Sequence, residues 1–191
     1  SGLDVLQLEK DFYRPEGSGQ PFPGVEVRIM EDGEILLGGT GVVKGYYKQP
    51  EETSKSFRGG YFHTGDGGYM DEEGELYVID RVRDMQTLEN GEKFSPTYIE
   101  GRMKFSPFIK EAVIFGEGRP YLTAMINIDF GNTGSWAEAR MIPYTTYMDL
   151  SQQEAVEALI LEEIRKVNEQ LPDVMKIHRF ILLYKLLDAD D

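Results

Sequence analysis

The sequence contains no cysteine and only two histidines among its 191 residues. The absence of cysteine excludes disulfides, thiolate catalysis and cysteine-ligated zinc. The histidines, His63 and His178, lie far apart in the chain, and neither has a neighbouring carboxylate at the spacing of metal ligands. We therefore expect no metal site built on histidine.

Basic residues are also scarce, with 20 Lys and Arg against 34 Asp and Glu, which gives a formal net charge of −14. Because a nucleic-acid interface needs clustered Lys and Arg, nucleic acid is not an expected partner. Long apolar runs are missing as well, since the longest, at residues 112–115 and 180–184, fall far short of a bilayer span. No basic-then-apolar signal opens the chain, and a cytoplasmic location is expected.

The residues that are present can form a core, since 40% are hydrophobic and 12% are aromatic. The first third is rich in glycine and predicts hairpins at residues 25–37 and 68–79, with a short helix beginning at Pro50. From residue 81 the periodic segments lengthen. They predict a helix capped by Ser95, strands at 110–115, 121–128 and 177–184, and a helix from Ser151 to Leu171 with a capping box to Glu154.

The most specific string runs from Tyr61 to Asp66 and reads Tyr-Phe-His-Thr-Gly-Asp, with Arg81 at the end of the next predicted strand. A Thr-Gly-Asp turn presents one carboxylate where glycine lets another molecule approach closely. Because a carboxylate accepts two hydrogen bonds at once, Asp66 suits the vicinal hydroxyls of a ribose, and Arg81 can reach the same sugar or its phosphate. A Gly-Asp turn alone is more commonly only a loop.

Further motifs accompany this string in a fixed order. They are Gly24 to Val27, the Asp32-Gly33 turn with Glu34 to Leu36, Gly45 to Tyr47, Pro50 to Thr53, Gly74 to Leu76 and Asp80-Arg81. In order and spacing they resemble the adenylate-forming superfamily over nearly the whole chain. Within it, Glu89 to Pro96 with Ile99-Glu100, and Asn132 to Ala139 with Asp149-Leu150, are similar to the AMP-forming acyl-CoA ligases of the long-chain fatty acid type.

The resemblance implies a two-step ligation in a full-length parent. A fatty acid attacks ATP to give acyl-AMP and pyrophosphate, and the thiol of CoA then displaces AMP, with Mg²⁺ as an accompanying cofactor. Asp66 would bind the ribose hydroxyls, and Arg81 would contact the same ribose or the phosphate beside it. Arg83 falls at the hinge about which the small C-terminal domain rotates between the two steps, where the family usually carries Asp or Lys.

The resemblance also implies how the chain is organised. Residues 1–80 would be the terminal β subdomain of the large N-terminal ligase domain, 81–84 the hinge, and 85–191 the mobile C-terminal domain, truncated before its end. The expected fold class is therefore α+β, with an antiparallel, barrel-like β lobe followed by a small α+β domain. The missing N-terminal domain is an expected partner, and peripheral membrane association stays open for the parent.

Residues 88–94 would form the loop that swings toward the active site for the CoA step. Gly91 would leave room for pantetheine beside Asn90, although a simple hairpin turn explains both residues equally well. Thr87 stands near the place of a lysine that many relatives carry. The phosphate-binding loop and the C-terminal catalytic lysine of the family are not in the sequence, so this fragment alone is expected to be inactive and to bind no nucleotide tightly.

Other functions are compatible with parts of this sequence. An aryl-CoA ligase or a peptide-synthetase adenylation domain would share the main motifs, but the extra residue before Gly91 and the insert at 132–150 favour the fatty acid type. A binding module without catalytic ancestry is the alternative from another class. A calcium loop at residues 66–73 is disfavoured, because the alternating ligand spacing and the central glycine are missing.

Overall fold

The computed structural model describes residues 6–7 and 17–186. These residues form two compact units, and the chain passes from the first to the second between Met85 and Gln86.

The first unit is built on an open antiparallel sheet. Its strands are β1 (Leu6–Gln7), β2 (Gln20–Pro21), β3 (Val25–Ile29), β4 (Glu34–Gly39), β5 (Phe57–Arg58), β6 (Tyr61–Met70) and β7 (Leu76–Arg81). The strand order is β3-β4-β6-β5, with β7 paired to the other part of β6, while β1 pairs only with β2. Helix α1 (Pro50–Ser56) precedes β5, and a short 3-10 helix, Val82–Asp84, follows β7.

The core of this sheet is small and comes from alternate positions of its strands. Ile35 and Leu37 of β4 are buried with Leu76 of β7, and partly buried Val27 and Phe62 pack against them. The turns between the strands are closed by aspartates, as Asp71 shows when its Oδ1 accepts the backbone N–H groups of residues 73 (3.0 Å) and 75 (2.9 Å). The acidic run after β6 is therefore a hairpin turn.

The second unit combines a three-stranded sheet with helices. Its strands are β8 (Gln86–Thr87), β9 (Lys93–Phe94), β10 (Ile109–Phe115), β11 (Leu122–Ile128) and β12 (Ile177–Leu182). Its helices are α2 (Pro96–Met103), α3 (Phe130–Glu138), α4 (Tyr147–Ser151) and α5 (Glu154–Asn168), and a 3-10 helix covers Asp173–Met175. Strand β11 pairs antiparallel with β10 and parallel with β12.

The core of the second unit takes apolar side chains from both its helices and its sheet. Ile99 and Met103 of α2, Ile126 of β11, and Val156 and Ile160 of α5 are all fully buried. Ser95 caps α2 as predicted, because its Oγ accepts the N–H of Tyr98 at 3.0 Å. The predicted apolar stripe of the long helix is likewise the face that is buried.

The predicted capping box at Ser151 is wrong. Ser151 ends the separate helix α4, where it is buried and its hydroxyl donates to the carbonyl of Met148 at 3.1 Å. Thr146 caps α4 by accepting the N–H of Asp149, and α5 begins only at Glu154 without a side-chain cap. The serine is used inside a helical turn because that turn packs into the core.

The predicted α+β class is confirmed. The antiparallel sheet of the first unit, which was expected to be barrel-like, is open in the described residues. Residues 25–37 and 68–79 form the two predicted hairpins, and the three predicted strands of the second unit are present. No helix within residues 17–186 is long and apolar enough to cross a bilayer.

Because α5 buries one face, substitutions at two neighbouring residues should lower the free energy of unfolding by very different amounts. Ile160→Ala should lower the free energy of unfolding of the second unit by about 2–5 kcal/mol, because it leaves a cavity in a fully buried position. Leu161→Ala, at an exposed position of the same helix, should cost less than about 1 kcal/mol. Urea unfolding followed by the fluorescence of Trp136, the single tryptophan, measures both; equal losses would contradict the packing described here.

Candidate functional site

Asp66 and Arg81 face each other on neighbouring antiparallel strands, β6 and β7. Arg81 Nη1 lies 2.9 Å from Asp66 Oδ1 and also donates to the carbonyl oxygen of Thr64 at 3.4 Å. The Asp66 side chain is 34% exposed and that of Arg81 is 56% exposed, so both are open to an incoming ligand. The structure thus brings together the two residues that the sequence suggests for a nucleotide, and their binding role stays a prediction.

The ion pair itself is a weak obstacle to a ligand. Exposed pairs of this kind contribute about 0–1 kcal/mol, because water screens the charges and two side chains lose freedom. A ribose hydroxyl can therefore replace Arg81 at one oxygen of Asp66 at little cost, while the guanidinium turns to another acceptor.

The strand that carries Asp66 bulges at this point. Glu34 pairs with Gly67 and Leu36 with His63, so residues 64, 65 and 66 of β6 stand opposite only residue 35 of β4. Side chains bind the amide hydrogens within the bulge. Gly65 N–H donates to Glu34 Oε1 at 3.0 Å, and Asp66 N–H donates to Thr64 Oγ1 at 3.0 Å. Gly65 has a φ of +72°, a conformation that favours glycine.

The other oxygen of Glu34 contacts His63. The distance from Glu34 Oε2 to His63 Nδ1 is 2.8 Å, and the two side chains are only 15% and 16% exposed. The sequence does not reveal this pair, because Glu34 lies 29 residues before His63 and not at ligand spacing along the chain. The sequence feature that points to the pair is Glu34 itself, the first residue of a predicted strand in the hairpin that precedes the motif.

Tyr61, the first residue of the motif, anchors the start of β6. Burial raises its pKa above the ordinary value, and the hydrogen bond with Glu26 raises it further. The same bond, together with the neighbouring guanidinium of Arg28, lowers the pKa of Glu26. A phenol with a raised pKa stays protonated at neutral pH, so Tyr61 acts here as a hydrogen-bond donor and not as a base.

The predicted hinge residue, Arg83, lies in the 3-10 helix Val82–Asp84, just before the division between the two units. Its side chain is 83% exposed, and its Nε contacts the carboxylate of the neighbouring Asp84 at 3.4 Å. Rotation about Arg83 stays a prediction.

Asn90 and Gly91 lie at the tip of a tight turn between β8 and β9. Leu88 N–H donates to the carbonyl of Glu92 at 2.9 Å, and Gly91, with a φ of +90°, has open space where a Cβ would be. Two further backbone bonds tie the base of this turn to the β10–β11 connection, from Glu89 N–H to Arg119 O at 3.0 Å and from Gly118 N–H to Thr87 O at 2.9 Å. The hairpin-turn interpretation is what the structure displays, and the CoA role stays a prediction.

The described residues do not include a group of three or more His, Asp or Glu side chains that could hold a metal ion. They therefore do not fit a Mg²⁺ site of their own.

Comparison with known proteins gives a family match and individual similarities. Residues 83–189 match the family described as the AMP-binding enzyme C-terminal domain. The chain is 36% identical over 111 residues to the long-chain-fatty-acid–CoA ligase FadD15 of Mycobacterium tuberculosis, an alignment that covers 58% of this chain and 18% of that protein. It is 39% identical over 125 residues to the 2-succinylbenzoate–CoA ligase of Geobacillus kaustophilus, covering 61% of this chain and 25% of that protein.

Among solved structures, apo MatB from Rhodopseudomonas palustris is similar in fold. The TM-score is 0.55 at 24% sequence identity, over 95% of this chain and 34% of that one. This likeness concerns the fold alone. The chain spans a quarter or less of the length of the two ligases named above.

Proposed function

Because the chain belongs to the AMP-binding enzyme C-terminal domain family, we propose that it is the carboxyl-terminal part of an ATP-dependent, AMP-forming acyl-CoA ligase that acts on long-chain fatty acids. Its part in the reaction would be to hold the nucleotide with Asp66 and Arg81, and to move residues 85–191 between the two chemical steps.

The observation that carries this proposal is the exposed pair of Asp66 and Arg81. One carboxylate and one guanidinium, 2.9 Å apart on neighbouring strands, provide an acceptor for two hydroxyls and a donor for a phosphate. The two ribose hydroxyls of ATP need such an acceptor. The pair lies close in the chain to the segment that matches the AMP-binding family, which begins at residue 83.

The binding free energies available from Asp66 and Arg81 limit what these two residues can do alone. A hydrogen bond to a charged group contributes about 1.5–3 kcal/mol, whereas a millimolar dissociation constant already requires about 4 kcal/mol after the costs of association. Asp66 and Arg81 therefore orient the sugar, and most of the affinity for ATP must come from a preceding domain. This reasoning supports a fragment that is inactive by itself.

In the proposed reaction the carboxylate of the fatty acid attacks the α-phosphorus of ATP. An acyl–oxygen–phosphorus linkage forms and pyrophosphate leaves. The sulfur of CoA then attacks the acyl carbon, loses its proton, and AMP leaves as the thioester forms. The ribose takes part in neither bond exchange, so contacts to it act through binding and orientation.

The preference for fatty acids is supported by the similarity to FadD15 and by the insert at residues 132–150, which is folded into α3 and α4. A second candidate is a CoA ligase for an aryl acid, which the similarity to the 2-succinylbenzoate–CoA ligase favours.

The proposed location is the cytoplasm, with peripheral contact to the membrane from which a fatty acid could be taken.

A substrate panel separates the two candidates in the longer ligase that we propose contains this chain. Hexadecanoate should give ATP-dependent AMP release and a CoA thioester at a kcat/KM at least about tenfold above that for 2-succinylbenzoate, because a methylene chain in a fitted pocket adds binding energy at each step. The reverse ranking would select the aryl-acid candidate. Product formation is followed by chromatography of the thioester.

In the same ligase, Asp66→Ala should lower kcat/KM for ATP in adenylate formation by about 10- to 100-fold, the equivalent of one lost charge-assisted hydrogen bond. Pyrophosphate release measures this step. Glu72→Ala removes an exposed carboxylate from the turn after β6 and should leave kcat/KM unchanged. Equal values for the Asp66 variant and the wild type would remove the ribose role.

The hinge proposal predicts that the two steps respond differently to one substitution. Arg83→Pro should leave adenylate formation near its wild-type rate and slow thioester formation from preformed acyl-AMP at least about tenfold, because proline fixes φ and restricts Val82 before it. Arg83→Lys keeps a flexible backbone and should support both steps. Equal loss of both steps in the proline variant would argue against a pivot at this residue.

A further inference from the structure

Glu34 uses both oxygens of a nearly buried carboxylate to hold two groups on either side of Thr64. Its Oε2 lies 2.8 Å from His63 Nδ1, and its Oε1 accepts the N–H of Gly65 at 3.0 Å. With only 15% of the side chain exposed, these contacts are shielded from competing water. A carboxylate that binds a backbone amide and a side chain at once fixes the local conformation more strongly than either bond alone.

The two bonds act on the bulge that presents Asp66. In a regular ladder, successive side chains alternate between the faces of a sheet, and a bulge changes where the following side chain points. Here the residue after Gly65 is Asp66. The hydroxyl of Thr64 completes the brace by donating to Ile35 O at 2.7 Å and accepting the N–H of Asp66 at 3.0 Å. Glu34 and its neighbour Ile35 thus both bind the bulge from β4.

We propose that Glu34 is a positioning residue, which sets the direction of the Asp66 carboxylate through its bonds to His63 and Gly65. The proposal rests on the proposed function, since it takes Asp66 as the group that binds the ribose. Two hydroxyls can bind one carboxylate only if its plane matches the plane of the diol, and a small displacement weakens both bonds together. Glu34 itself does not face the ligand, because both of its oxygens are already bound.

His63 supplies the second anchor of this arrangement. An ionised carboxylate only accepts hydrogen bonds, so the ring nitrogen that contacts it must carry the proton. Nδ1 is therefore the donor. Asparagine at residue 63 can place an amide N–H near the position of Nδ1, whereas alanine cannot. Asparagine is therefore the conservative replacement that keeps the bond to Glu34.

The kinetic test uses the longer ligase. Glu34→Gln leaves one acceptor oxygen where two are needed, and it should raise the KM for ATP in adenylate formation about fivefold to twentyfold, with kcat within about twofold and the KM for the fatty acid unchanged. This pattern is expected because ribose contacts are made equally in the ground state and the transition state.

A matched control exists in the same unit. Glu75 is another buried glutamate whose Oε1 accepts a backbone N–H, that of Gly19 at 2.8 Å, away from the bulge. Glu75→Gln should therefore leave the KM for ATP unchanged. His63→Ala should reproduce the effect of Glu34→Gln, and His63→Asn should restore the KM to within about twofold of the wild type.

The outcomes separate this proposal from the proposed function. A wild-type ligase that forms no adenylate would overturn the proposed function. An active wild type in which Glu34→Gln and Glu75→Gln give the same KM for ATP would overturn the positioning role alone. A lower kcat with an unchanged KM would also overturn it, because a ribose contact made equally in the ground state and the transition state changes the KM.

A measurement on the 191-residue chain needs no substitution. The amide hydrogen of Gly65 should exchange with solvent at least about tenfold more slowly than the unprotected chemical rate, because its partner is a nearly buried carboxylate. Exchange at the unprotected rate would mean that the bond to Glu34 does not hold the bulge, and would overturn the proposal.

Discussion

The register between β6 and β7 decides whether Asp66 and Arg81 meet at all. A shift of one residue in an antiparallel pair sends every side chain to the opposite face. Away from the site, Tyr69 pairs with Tyr77, and their rings stack with centroids 4.8 Å apart. Aromatic cross-strand pairs of this kind stabilise one register over its neighbours. The irregularity between Gly67 and Gly68 then brings Asp66 opposite Arg81. The candidate site thus depends on aromatic contacts that lie outside it.

Much of the fold follows from local sequence, and the wrong prediction of a cap at Ser151 has a physical cause. The hairpins and the cap at Ser95 were predictable, because alternation, turn residues and capping chemistry act over a few positions. The beginning of α5 was not. A serine followed three residues later by a glutamate is a valid cap, yet the same serine can bond back inside a helical turn, as Ser151 does. Which of the two occurs depends on Thr146, which caps an earlier helix, and on burial of Leu150 in the core.

The candidate site was likewise predictable only in part. Asp66 and Arg81 could be proposed because a glycine turn and a strand end leave polar side chains exposed, and exposure is visible in the pattern. The contact between Glu34 and His63 could not, since it joins residues on two strands whose pairing contains a bulge. Sequence spacing gives alternation along one strand, but it does not give the number of residues that a bulge removes from the ladder.

The attachment of the Asn90–Gly91 turn to the β10–β11 connection has a mechanical consequence. Two backbone bonds, through Glu89 and Thr87, join the turn to residues 118 and 119, so the turn cannot swing on its own without losing both. In the proposed rotation about Arg83, the turn would move together with the β10–β11 connection, so an insertion at residue 118 would displace residue 91 although the two lie on different hairpins.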